Sequence, residues 1–152
     1  MKKMNNKGFS LVELIVVIAI MAVLIGVLAP QFLKFVERGR KSTDVQNVAS
    51  IVTAIQTYAA DPMVTDALTD GKVTLTTTAA TVGTSNNATG NSDKALKAAG
   101  INEIGLKSSK WPTASGNATS IDINFTVASD GSVTFTATTL ATGYDILKGQ
   151  YK

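Results

Sequence analysis

A long apolar run from Phe9 to Ala29 constrains this chain more than any other feature, because its only polar side chains are Ser10 and Glu13. A helix rises about 1.5 Å per residue, and roughly 20 apolar residues are enough to cross a bilayer. The apolar part of a cleavable secretory signal is shorter, roughly 7–15 residues. This run instead continues to Pro30 and into a further helical pattern. The sequence therefore predicts a helix that stays in the membrane.

Glu13 is the unusual residue of this run. An acidic side chain at the centre of a membrane helix costs on the order of 3 kcal/mol by insertion scales, and less near an end. No Lys or Arg lies between Phe9 and Gln31 to neutralise it. A cut between Gly8 and Phe9 creates an α-amino group one helical turn before Glu13, and this amine can pair with the carboxylate of its own chain or of a neighbour.

The segment KGFSLVE, Lys7 to Glu13, followed by an apolar helix resembles the class III signal of type IV pilins and of pseudopilins from related secretion and DNA-uptake machines. In that family a membrane aspartyl peptidase cuts after the glycine, and the same enzyme methylates the exposed phenylalanine amine. The glutamate is implicated in docking subunits into a fibre. By position, the resemblance implies cleavage at Gly8–Phe9, N-methylation of Phe9 and an assembly role for Glu13.

The predicted organisation has three parts: a cleaved leader (1–8), a transmembrane and assembly helix (9–30), and an amphipathic helix half with a globular head (31–152). The fold class that the resemblance implies is α+β, with the long N-terminal helix packed on a small antiparallel sheet. Pro30 interrupts the helical pattern, and its ring meets the carbonyl of Gly26. A kink is expected there, and the resemblance adds that the helix can melt locally at this point in a fibre.

Periodicity in the head predicts one helix face and one hairpin. Val45, Val48, Val52, Ile55 and Ala59 recur at spacings of three and four, which indicates a helix face that covers a core. Apolar residues alternate with polar ones across 121–137, on both sides of a turn at 129–131, which indicates a β-hairpin.

Weaker patterns predict smaller elements of the head. They are a short strand at 72–76 in a polar loop, a capped helix at 92–99, a strand around 105–111, and a tail from Gly143 that packs on the sheet as a strand or loop. Trp111 is expected to anchor the core.

Composition limits the chemistry of the head. The chain has no Cys and no His, which excludes disulfides, thiol nucleophiles and the usual zinc ligands. Many pilins close the C-terminal region with a disulfide; here packing, hydrogen bonds or a cation must hold it. Asp122, Asp130 and Asp145 lack the clustered spacing of a calcium site. We therefore expect no enzymatic activity, no cofactor and no metal.

Charge argues against bulk nucleic-acid binding. Three of the 14 basic residues, Lys2, Lys3 and Lys7, lie in the leader, and the remainder equal the 11 acidic residues in number. A basic cluster, Lys34 to Lys41, flanks the other end of the apolar run and weakens the charge asymmetry that orients membrane helices. The motif decides the topology: leader in the cytoplasm, C-terminus outside.

The function predicted from the sequence is that of a structural type IV pilus subunit. It is a single-pass cytoplasmic-membrane protein before assembly and part of an extracellular fibre afterwards. Its expected partners are other copies of itself, prepilin peptidase, the inner-membrane assembly platform and, before assembly, the membrane. The alternative is a minor pilin or pseudopilin of a type II secretion or DNA-uptake machine that acts as a binding module. Adhesion, twitching motility, secretion and DNA uptake all remain open as roles of the fibre.

Overall fold

The computed structural model describes residues 8–84 and 87–150, so most of the predicted leader lies outside the described residues. The chain divides into two compact units between Val36 and Glu37, and each is described by itself. The elements in chain order are α1 (Leu11–Ala60), β1 (Gly71–Thr76), β2 (Ala80–Thr81), α2 (Ser92–Ala98), β3 (Glu103–Ile104), β4 (Pro112–Thr113), β5 (Gly116–Asn117), β6 (Ser120–Val127) and β7 (Val133–Ala137).

The first unit contains the apolar half of α1. Within the described residues, α1 is the one helix that is long and apolar enough to cross a membrane. Its large apolar side chains are exposed, from Leu11 at 74% to Ile15 at 50%. The helix is assigned without a break across Gly26 and Pro30. A kink, or melting in a fibre, stays a prediction at this point.

The second unit is built on a three-stranded antiparallel sheet with the order β1-β6-β7. Val73 of β1 pairs with Ile123 of the central strand β6, and Phe125 of β6 pairs with Phe135 of β7. Two further antiparallel pairs, β2-β3 and β4-β5, each have only two residues per strand. A long apolar N-terminal helix with a small antiparallel sheet confirms the predicted α+β class.

Alternation along the strands places one face of the sheet in the core. Val73 and Leu75 of β1 and Ile121, Ile123 and Phe125 of β6 are fully buried. They share one core cluster with residues from the C-terminal half of α1 and from α2. Each such side chain contributes about 1.5–3 kcal/mol on burial, so this face accounts for much of the stability of the head.

The buried face of α1 is rotated relative to the predicted one. Of the predicted stripe, Val48 and Ile55 are fully buried, whereas Val45, Val52 and Ala59 are only half-buried. The other members of the buried face are Lys41, Asp44, Ile51 and Ala54. The face turns toward Lys41 and Asp44 because both make contacts with the head, described below.

The strand predicted around Gly105–Trp111 is wrong, because this segment is an irregular loop between β3 and β4. Leu106 N donates to Thr76 O of β1 at 2.8 Å, but the N–H groups that follow it bond to side chains. Lys107 and Ser108 donate to the carboxylate of Asp44, and Lys110 donates to the Ser108 hydroxyl oxygen. After Leu106, a side-chain acceptor on α1 therefore takes the place of a strand partner.

The remaining predicted elements are present. The strand at 72–76 is β1 and lies in the main sheet, and the helix at 92–99 is α2, although its N-cap is Asn91 in a left-handed conformation, not Ser92. The hairpin is β6-β7. Its three-residue turn, 129–131, is closed by the bond from Ala128 N to Ser132 O, 2.9 Å. The tail from Gly143 is a loop that buries Ile146.

Candidate processing and assembly site

The predicted cleavage bond lies just before the start of α1. Gly8, Phe9 and Ser10 precede the helix, and all three are exposed. The Phe9 side chain is 90% exposed, and a Cβ built on Gly8 meets no atom within 4 Å. The peptide bond between Gly8 and Phe9 is therefore in an open, non-helical segment.

Glu13 caps the helix that it belongs to. The backbone N–H of Ser10 donates to Oε2 of Glu13 at 2.9 Å, and the Ser10 carbonyl accepts the first helical bond from Leu14 N at 3.2 Å. Ser-x-x-Glu is the spacing of a capping box, in which the fourth residue reaches back to an N–H that the helix leaves unpaired. A carboxylate in the first turn also interacts favourably with the helix dipole. Our sequence reasoning missed this cap, although Ser10 and Glu13 showed its signature.

The cap fixes the carboxylate near the bond that is predicted to be cut. Ser10 N belongs to the peptide group that joins Phe9 to Ser10, so the carboxylate binds one residue from the amino terminus that the predicted cut would create. A carboxylate can accept several hydrogen bonds, so the bond from Ser10 N leaves acceptor sites of Glu13 available. Glu13 can thus serve the cap and a further cationic partner. Gly26 and Pro30 lie in the same helix but about 20 Å or more further along, and the structure does not bring them to Glu13.

In the second unit, a buried carboxylate binds the 105–111 loop to α1. Asp44 is 0% exposed; its Oδ1 accepts from Lys107 N at 2.5 Å, and its Oδ2 from Ser108 N at 3.0 Å and Trp111 Nε1 at 2.9 Å. The Ser108 hydroxyl donates to Glu37, which lies two helical turns before Asp44 on α1. We call this set, Glu37, Asp44, Ser108 and Trp111 with the Lys107 backbone, the Asp44 clasp.

Lys41 lies beside the clasp and is almost fully buried. Its Nζ is 4.7 Å from the centre of the Tyr144 ring and 5.7 Å from the centre of the Trp111 ring, two cation–π contacts. Burial lowers the pKa of Lys41, and the nearby Glu37 opposes this effect. Because Tyr144 belongs to the tail, Lys41 connects the C-terminal region to α1. In this cysteine-free head, packing and polar contacts of this kind hold that region.

Sequence reasoning also missed Lys41 and Asp44. The signal was present, because Lys41, Asp44, Val48, Ile51 and Ile55 follow one another at spacings of three and four. Polar residues in register with an apolar stripe are expected on the buried face of a helix. Buried polar groups are nearly always hydrogen-bonded, so such a register predicts partners in the head.

The three aspartates considered for calcium have other partners. Asp122 accepts from Lys72 Nζ at 3.0 Å and from Thr74 Oγ1 at 2.7 Å. Partial burial raises the pKa of Asp122, but these two hydrogen bonds outweigh it and hold the pKa below its usual range. Asp130 binds Ser132 N within the hairpin turn, and Asp145 binds the N–H groups of Leu147 and Lys148. Across 8–84 and 87–150, no group of three or more candidate ligands is placed to hold a metal.

Comparison with known proteins agrees with the N-terminal geometry. The family model described as the prokaryotic N-terminal methylation motif matches residues 3–29. The chain is 37% identical over 73 residues to prepilin peptidase-dependent protein A of Clostridium perfringens, a match that covers 47% of this chain and 52% of that protein. It is 35% identical over 54 residues to the type IV major pilin protein PilA of Myxococcus xanthus, covering 36% of this chain and 24% of that protein.

The chain spans about half the length of the first of these relatives and about a quarter of the second. No solved structure matches it significantly.

An exposed apolar N-terminal helix, an open segment before it and a small antiparallel sheet accompany the match to the prokaryotic N-terminal methylation motif. The chain is therefore similar to type IV pilin-like proteins, and its motif is of the kind that prepilin peptidase-dependent proteins carry.

Proposed function

We propose that this chain is the structural subunit of a type IV pilus. Prepilin peptidase cleaves it between Gly8 and Phe9 and methylates the Phe9 amine, after which α1 polymerises with copies of itself on an inner-membrane assembly platform. Residues 1–8 are the leader, residues 9–30 the membrane and assembly helix, and residues 31–152 the amphipathic half-helix and head. The subunit is a single-pass cytoplasmic-membrane protein first and part of an extracellular fibre later.

The observation that carries this proposal is the exposure of α1 before Val36. Its apolar side chains, from Leu11 to Phe35, are about half to three-quarters exposed in the single chain. Soluble monomers rarely expose apolar patches of more than a few hundred Å², and larger ones mark membrane or protein contacts. Lipid covers these side chains before assembly, and other copies of the helix cover them in a fibre.

Glu13 supports assembly over a simple anchor. A plain membrane anchor gains nothing from an acidic residue among apolar ones, because the charge costs insertion energy. The cap to Ser10 N offsets part of that cost, and the methylated amine of Phe9, in the same or an adjacent subunit, supplies the opposite charge. The alternative, a minor pilin or pseudopilin acting as a binding module, shares this chemistry and differs in copy number.

Imaging and mass spectrometry of sheared surface fibres test the proposal. We expect fibres whose main component is this chain, starting at N-methylated Phe9, and we expect none after deletion of the chain. Cells that keep normal fibres after the deletion would show that the chain is at most a minor pilin or pseudopilin. An assembled chain that still begins at Met1 would contradict the processing step itself.

A further inference from the structure

Four cations at one end of the head have no part in the proposed function. Arg38 and Arg40 lie on α1, and Lys107 and Lys110 lie on the loop that the Asp44 clasp holds. All four residues are exposed. We call this set the basic collar.

Two acids of the same region, Asp44 and Glu37, face inward. Asp44 is fully buried with three N–H donors. The Glu37 side chain is only 17% exposed; it accepts the Ser108 hydroxyl and lies 4.0 Å from Arg40. Around the collar, the negative charges of Asp44 and Glu37 are turned inside, together with the cation of Lys41, whereas the four collar cations lie on the surface. This segregation is invisible in the net charge of the chain.

A continuous set of contacts joins the two halves of the collar. Glu37 lies between Arg40 and Ser108, and the Ser108 hydroxyl oxygen accepts from Lys110 N at 3.1 Å. The clasp thus fixes a loop about 70 residues away in sequence against the first turns of α1 in the head. The clasp contacts are what hold Lys107 and Lys110 on the same side of the head as Arg38 and Arg40.

Chain length keeps the collar near the membrane. Arg38 follows Pro30, the end of the proposed membrane segment, by eight residues. Eight residues span about 12 Å as a helix and at most about 28 Å when fully extended. Anionic lipids give a bilayer surface a negative potential that attracts nearby Lys and Arg and decays over a Debye length, about 10 Å at 0.1 M salt.

We propose that the basic collar docks the head onto anionic phospholipid headgroups while the subunit waits in the membrane for assembly. The inference rests on the proposed insertion of residues 9–30, but not on polymerisation. It also gives a role to Arg38 and Arg40 of the basic cluster that follows the apolar run, a cluster that weakens the charge asymmetry across the membrane. Glu103 is exposed and lines the same cavity as Lys107, so it opposes the attraction there. The strongest contributions therefore come from Arg38, Arg40 and Lys110.

The test uses the full mature chain in lipid nanodiscs. The chain has no cysteine, so Ser109→Cys, between Lys107 and Lys110, accepts one fluorophore, and Ser129→Cys in the β6-β7 turn accepts it in a second preparation. Energy transfer to headgroup-labelled lipid is compared in phosphatidylcholine alone and in a mixture with phosphatidylglycerol. We expect transfer from position 109 to rise with the anionic lipid and to fall toward 1 M salt, where the Debye length is about 3 Å.

Matched variants separate the collar from general charge. Arg38→Gln with Lys110→Gln removes two collar cations, and Lys94→Gln with Lys97→Gln removes two exposed cations on α2. A cation near an anionic surface changes binding about fivefold, so the collar variant should lower the docked-to-undocked ratio by about 25-fold and the α2 variant should change it little. Co-purification with neutral nanodiscs checks insertion separately, so that a failure of the membrane segment is recognised as such.

Three results would overturn the inference. The first is equal transfer in neutral and anionic nanodiscs with an inserted chain, and the second is an unchanged response in the collar variant. The third is a change in the fluorescence of the label at position 109 that is the same in both lipids and occurs only after a short DNA duplex is added, which would assign the collar to nucleic acid.

Discussion

Trp111 donates its indole N–H to the carboxylate of Asp44 at 2.9 Å, across 67 residues of sequence, and both side chains are fully buried. A buried carboxylate is tolerated only when hydrogen bonds replace the water that it loses. Asp44 receives three such bonds from the 107–111 segment. The interaction therefore binds α1 to the loop and places the only tryptophan of the chain in the core.

Asp44→Ala is expected to destabilise the head by about 3–5 kcal/mol, because it leaves three N–H donors, two of them buried, without their acceptor. Unfolding in urea, followed by the fluorescence of Trp111, measures the loss. Asp66→Asn is the control, since Asp66 forms an exposed pair with Lys94 that is worth at most about 1 kcal/mol. Equal stability of the two variants would show that the clasp does not hold the loop.

Removal of residues 1–30 should give a soluble, folded head. The core of the second unit is formed by residues after Glu37, and its α1 side chains begin at Lys41. Circular dichroism should show helix and sheet, and unfolding should be cooperative. A truncated chain without a cooperative transition would mean that the apolar half of α1 is required for folding.

The stability of the head should fall in acid partly through Asp122. Hydrogen bonds from Thr74 and Lys72 lower its pKa in the folded state despite partial burial. A carboxyl with a lowered folded pKa stabilises the protein above the unfolded pKa, here 3.8, and this contribution is lost as the pH falls through the folded value. The difference in unfolding free energy between the native chain and Asp122→Asn should therefore shrink below about pH 4. A difference independent of pH would contradict this assignment.

The sequence predicted the elements whose signals are local and periodic. The hairpin around Asp130–Gly131 and the apolar run both repeat a pattern over many residues, and both are present. The strand around Gly105–Trp111 was wrong because, after Leu106, the segment bonds to the carboxylate of Asp44, far away in sequence, and no local pattern encodes such a bond. Lys41 and Asp44 lay in the helical register, but only the fold shows what they contact.

The cleavage, methylation and assembly roles of the N-terminal residues stay predictions, and the geometry around Glu13 was not predicted from the sequence. The motif gave Gly8, Phe9 and Glu13, whereas the cap between Glu13 and Ser10 N shows that the glutamate already has a structural partner in the single chain. Loss of fibres in a Glu13→Ala variant would therefore be ambiguous, since that change removes both the cap and the charge.

Glu13→Gln separates the two roles. A glutamine oxygen can still accept from Ser10 N, so the cap is retained, while the charge that pairs with the Phe9 amine is lost. We expect Glu13→Gln and Glu13→Ala alike to be expressed, inserted and cleaved, and both to carry few or no fibres. Breaking a buried ion pair by removing one partner typically costs about 3–5 kcal/mol, far more than the loss of a cap at about 1 kcal/mol.

Ser10→Ala is the control for Glu13→Gln, because the donor to Glu13 is the backbone N–H, which alanine keeps. This variant should assemble nearly normally. Fibres are counted by electron microscopy, and membrane-bound subunit is measured by immunoblot in the same cells. If Glu13→Gln assembles like the native chain and Glu13→Ala does not, the carboxylate acts through the helix cap, and charge pairing with Phe9 is not what drives assembly. Normal fibres in both variants would remove Glu13 from assembly altogether.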